Sequence, residues 1–80
     1  MENLPLIAYG SFGVHLLKNP AGTFSFFGTV PNVFCNKSWN SYTDGYQALI
    51  DWLVNSSVDF QKEMIVGMTP KLFQDFMNAK

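Results

Sequence analysis

Phe12-Gly13-Val14-His15-Leu16-Leu17-Lys18-Asn19-Pro20-Ala21-Gly22-Thr23-Phe24-Ser25-Phe26-Phe27-Gly28-Thr29-Val30 spells a β-hairpin. Two β-rich runs flank Asn19-Pro20-Ala21-Gly22, a tetrapeptide suited to a type I turn. Asn can accept from the turn backbone, Pro presets φ at the second position, and Gly takes the left-handed fourth. A type I turn closed by a left-handed Gly gives a three-residue hairpin loop with a G1 bulge. That turn fixes the register: Lys18 faces Phe24, Leu16 faces Phe26, Val14 faces Gly28 and Phe12 faces Val30. These residues share one nearly all-apolar face, which alternation makes the core side. Gly28 opposite Val14 leaves a gap for a helix side chain. The other face sets Leu17 opposite Ser25, His15 opposite Phe27 and Gly13 opposite Thr29.

The composition says what such a hairpin must be built into. Eighty residues make a single domain, 1-80, near the lower size limit for a self-sufficient core. Eight Phe, three Tyr and two Trp, within a hydrophobic content of 48%, supply the apolar area. Charged residues are only 14% against about 25% in ordinary domains, so the surface is short of polar cover and a partner is expected to hide part of it. Five Lys, no Arg and a net charge of −1 argue against nucleic acid as the main ligand, since phosphate binding leans on basic patches and on Arg. The single Cys35 excludes an internal disulfide and suits a reducing compartment. No basic leader with an apolar run opens the sequence, and no run approaches about 18 apolar residues. A cytoplasmic protein with no membrane association is therefore expected.

Upstream of the hairpin, Leu6-Ile7-Ala8-Tyr9 either extends the first strand past a bend at Gly10-Ser11 or forms an edge segment. The Gly10 and Gly13 spacing superficially resembles a phosphate loop, but no helix start and no Lys complete it. Downstream, Pro31-Asn32 breaks the ladder, and Val33-Phe34-Cys35 reads as the start of a short third strand, with Trp39 as its outer limit. Thr43 is a good N-cap for a helix over Asp44 to Val54, in which Tyr46, Leu49, Ile50 and Leu53 recur on one face. Val58 to Met68 fits both a strand and a helix; Gln61-Lys62-Glu63 and a cap around Ser56-Ser57-Val58-Asp59 favour the helix, with Gly67 as its stop. Thr69-Pro70 then caps a last helix, with Leu72, Phe73, Phe76 and Met77 as its apolar stripe. The expected fold is α+β: a three-stranded antiparallel sheet, hairpin plus short third strand, packed on one face by two or three helices.

Candidate chemistry is sparse. His15 and Cys35 occur once each, with no metal-ligand or nucleophile spacing. His15 is expected half-buried against Phe27, and Cys35 is expected to act as a small hydrophobe. Asp59 and Glu63 form the one helical i, i+4 acid pair, too little to specify a small hydrolase. No catalytic residue, metal or cofactor is expected. Two helices or three cover only one sheet face, leaving Leu17, Phe27 and His15 open, with Trp39 and Tyr42 close by, as a candidate interaction surface. Phe27 with Tyr9, Trp39 or Tyr42 would alternatively make a stacking platform for single-stranded nucleic acid.

The stretch Asn19 to Pro31 resembles the hairpin of small uncharacterised bacterial proteins of plasmids, phages and other mobile elements. That resemblance covers about a sixth of the chain and brings no catalytic motif. It implies an accessory or inhibitor protein of bacterial or phage origin acting by binding. The expectation is a non-catalytic protein–protein interaction module, by default a homodimer, whose other protein partner the sequence leaves unknown.

Overall fold

The computed structural model describes residues 5–79. Strands β1 (Ile7–Tyr9), β2 (Phe12–Lys18) and β3 (Phe24–Gly28) form an antiparallel sheet in that order. Three helices follow: α1 (Tyr42–Val54), α2 (Val58–Gly67) and α3 (Pro70–Ala79). No helix among the described residues is long and apolar enough to cross a membrane.

From Val14 to Lys18 the hairpin register is the one its turn dictates, but β3 ends at Gly28, so the expected pairing of Phe12 with Val30 is not part of the ladder and Phe12 pairs with Tyr9 instead. Val14 pairs with Gly28, His15 with Phe27, Leu16 with Phe26, Leu17 with Ser25 and Lys18 with Phe24. The Gly22 N–H donates to the Asn19 carbonyl at 2.9 Å, and Gly22 is left-handed at φ 93°. The Asn19 side chain works differently from expectation: its Nδ2 donates to Thr23 Oγ1 at 3.0 Å and to Ser25 Oγ at 2.8 Å. Nor does Gly28 leave room for a helix side chain. It sits at φ 99°, and a Cβ there would strike the Gly13 carbonyl, so main chain occupies that space.

The third strand comes from the N-terminal side. Ile7 pairs with Val14 and Tyr9 with Phe12, which makes β1 an edge strand joined to β2 by Gly10-Ser11. Val33-Phe34-Cys35 is not a strand; Asn32–Phe34 is a 3₁₀ turn. The cause is Phe34, whose ring is drawn beneath the sheet. It lies 4.7 Å from Phe26, 5.7 Å from Trp39 and 5.7 Å from Trp52, and Trp52 meets Phe60 at 5.3 Å. Aromatic contacts of this kind outweigh the one or two ladder hydrogen bonds that a short strand would gain. Of the segment 31–39, Trp39 alone pairs with the sheet, by a single bridge to Phe24, while on the other edge Met68 bridges Ile7.

The helices pack on the face formed by the even-numbered residues of β2 and β3 and by Ile7 of β1. Ile7, Val14, Leu16 and Phe26 from the sheet meet Leu49, Ile50, Leu53, Met64, Leu72 and Phe76 from the helices in one buried cluster. Helix α1 starts two residues earlier than the sequence signal: Ser41, not Thr43, is the N-cap, accepting from the Asp44 N–H at 3.1 Å. Segment 58–67 is helical, capped by Ser57. Gly67 closes α2 not as a left-handed stop but because the helix end abuts β1, where a Cβ would collide with the Ala8 main chain. Where α1 gives way to α2, Gln61 is buried, and its Nε2 donates to the carbonyls of Leu53, Val54 and Ser56 at 2.9, 3.1 and 3.0 Å. One amide thereby serves the Val54 and Ser56 carbonyls at the end of α1 and in the turn after it, and adds to the bond that the Leu53 carbonyl takes from the Ser56 N–H.

Candidate functional site

The open face of the sheet is built from the odd residues of β2 and β3. His15 stands opposite Phe27 and Leu17 opposite Ser25, as alternation requires. Phe27 is 41% exposed. His15 and Leu17 are half-buried. The His15 Nδ1 is buried and has no hydrogen-bond partner among the described residues. At the turn end the Asn19 amide, Thr23 and Ser25 give the face a polar border.

The other two candidates do not join this face. Trp39 belongs to the helix side, where its ring meets Phe26 edge-on at 5.2 Å. Its N–H and C=O bond Phe24 at 2.8 Å each. Tyr42 is also on the helix side: it meets Phe24 edge-on at 6.0 Å and stacks on Tyr46 at 5.9 Å. Tyr9 pairs with Phe12, a residue of the helix-side face, and so shares neither strand nor face with Phe27. The platform envisaged for base stacking is thus divided between two faces. Their separation was invisible in sequence because it depends on which way the chain turns after Pro31.

Two features went unread in the sequence. The first is an open cleft of about 460 Å³ between the edge of β3 and the segment that carries Cys35, Asn36, Lys37 and Ser38. Cys35 is exposed there, rather than packed as a small hydrophobe. The second is a polar knot between α1 and α3. The Tyr46 hydroxyl donates to Asp75 Oδ2 at 2.7 Å, and Lys71 Nζ reaches the same oxygen at 3.0 Å while lying 5.4 Å from the Tyr46 ring centre. Burial, and then the hydrogen bond to Asp75, push the Tyr46 phenol above its ordinary range. The same hydrogen bond from Tyr46, aided by Lys71, holds the Asp75 carboxyl below the ordinary carboxylate value. The only sequence hint was the i, i+4 spacing of Lys71 and Asp75; Tyr46 is far away in the chain.

Helix α3 also exposes part of its stripe: Leu72 and Phe76 are buried, while Phe73 and Met77 are 39% and 45% exposed. Among the described residues no group of three or more His, Cys, Asp or Glu is placed to hold a metal ion. Comparison with protein-family models, curated proteins and solved structures finds no match.

Proposed function

We propose that the chain is a non-catalytic protein–protein interaction module of the cytoplasm, using the uncovered face of its sheet, with a second copy of itself as the default partner. The observation that supports it is Phe27, a strand residue 41% exposed beside half-buried His15 and Leu17, while the helices pack on the opposite face. The low charge content leaves little repulsion to keep two such faces apart. The size of the face bounds the strength of the contact. Three strands about 4.8 Å apart and five residues long at about 3.3 Å each give a footprint of roughly 240 Å². Stable complexes bury about 800 Å² per partner, so a pair joined by this face alone belongs to the transient class. The narrower role, an accessory or inhibitor protein of bacterial or phage origin, is supported by the hairpin resemblance of Asn19 to Pro31.

Light scattering across a dilution series tests the pairing. The mass should rise above the 9.0 kDa of one chain as concentration climbs through about tens of micromolar, a range suited to a small interface. Phe27→Asp should hold it at one chain with unchanged circular dichroism. A mass of one chain throughout, or a pair indifferent to Phe27→Asp, would overturn the proposal.

A further inference from the structure

The free edge of β3 is a sheet edge left unfinished. Along an antiparallel ladder, alternate residues turn their N–H and C=O toward the partner strand and the others turn theirs away. Phe24 sets the phase, because both of its main-chain groups bond Trp39 on the side away from β2. Phe26, two residues on, presents its N–H and C=O outward in the same direction. Among the described residues nothing bonds them. The segment that would continue the pairing turns off instead: Phe34 is held in the ring cluster, the Lys37 N–H donates to the Phe34 carbonyl at 3.2 Å, and Asn36 is left-handed at φ 62°. The cleft of about 460 Å³ lies where those missing residues would run.

We infer that this edge receives an extended peptide strand from a partner protein, laid along Phe26–Gly28 in line with Trp39. An unpaired strand donor and acceptor select an extended main chain as their complement. Three paired residues span about 10 Å. The floor supplied by Phe26, Val30 and Phe34 asks for an apolar side chain, and Lys37, the single charged residue of the lining among the described residues, asks for an acidic neighbour. A second copy fits poorly. Symmetric pairing of two β3 strands centred on Phe26 would set Phe24 against Gly28 of the other copy, and the outward groups of Phe24 already hold Trp39. The inference rests on the protein-interaction reading but uses a different surface from the open face.

The test selects displayed random octapeptides on the full chain, then follows synthetic peptides by amide hydrogen exchange. In the free protein the Phe26 amide should exchange faster than those of Ser25 and Phe27, which point toward β2. A bound peptide should slow Phe26 by about tenfold or more. N-methylation of its amides should weaken binding at alternate positions by about tenfold, the size of one lost hydrogen bond, and spare those between. Lys37→Glu should turn the selected set from acidic to basic. The inference fails if no peptide is selected or if a bound peptide leaves Phe26 unchanged. It fails equally if Phe26 is already as protected as Ser25 in the free chain: concentration-independent protection would mean closure of the chain's own segment, and concentration-dependent protection a second copy. Light scattering on the same samples reports the open-face pair separately, so either result can fall without the other.

Discussion

Replacing Gln61 with methionine should destabilise the protein out of proportion to so conservative a change. Methionine keeps the length and the unbranched stem but has no donor. The Leu53 carbonyl would still accept the Ser56 N–H at 3.1 Å, so the loss concentrates on Val54 and Ser56, whose carbonyls take their bonds from Gln61 Nε2 at 3.1 and 3.0 Å. A buried acceptor left bare costs about 1–3 kcal/mol. These two are only part-buried, which places each near the lower end and the sum near ~2 kcal/mol. A chain of this size has in total about 4–12 kcal/mol, and ~2 kcal/mol corresponds to a fall in Tm of roughly 8–16 °C. Urea unfolding followed by circular dichroism measures it. Gln47→Ala is the control, because Gln47 is exposed and its bond to Asp51 is an i, i+4 surface contact, worth about 0.2–0.5 kcal/mol. A loss for Gln61→Met no larger than that of the control would refute the account and mean that water serves those carbonyls.

Phe26→Ala should cost about 3–5 kcal/mol, whereas Phe27→Ala should cost under about 1 kcal/mol in the monomer; equal losses in urea unfolding would contradict the register. Gly67→Ala should destabilise by about 1–3 kcal/mol through overpacking, although the same change in an open helix gains roughly 1 kcal/mol, so the sign alone decides whether α2 abuts β1. The Tyr46–Asp75 link should stabilise above the ordinary carboxylate pKa and be lost as pH falls through the depressed Asp75 value. On the alkaline side the raised Tyr46 pKa gives a contribution present in full below the ordinary tyrosine value of 10.0 and lost as pH rises through its elevated one. Asp75→Asn should remove the acid limb and bring the Tyr46 phenol part of the way back, since burial remains; ultraviolet titration of tyrosinate reads the change, and an unmoved Tyr46 would refute the link.

The hairpin, its register beside the turn and its inward face were legible in the linear chain, because Asn19-Pro20-Ala21-Gly22 admits few backbone conformations and strand parity follows from any one pair. So were α3, through Thr69 and Pro70, and the core face of α1, through the spacing of Tyr46, Leu49, Ile50 and Leu53. Gly10-Ser11 carries a further local signal: it is a two-residue hairpin turn with Gly10 at φ 60°, the Gly-first pattern that joins two strands. That turn was the clue to β1. What only the tertiary structure decided were the choices in which local preference is nearly balanced. Val33-Phe34-Cys35 has the composition of a strand, yet Phe34 gains more by entering the ring cluster of Phe26, Trp39 and Trp52 than by pairing. That one choice takes Trp39 and Tyr42 to the helix side, opens the cleft beside β3 and leaves Phe26 with outward main-chain groups. Gln61 likewise enters the sequence reading only through the helix-favouring run Gln61-Lys62-Glu63, because nothing in a linear sequence shows that another helix ends against it. Periodicity reports which face of an element is apolar; which neighbour fills that face is a matter of packing between residues far apart in the chain, and there the surface of this protein was decided.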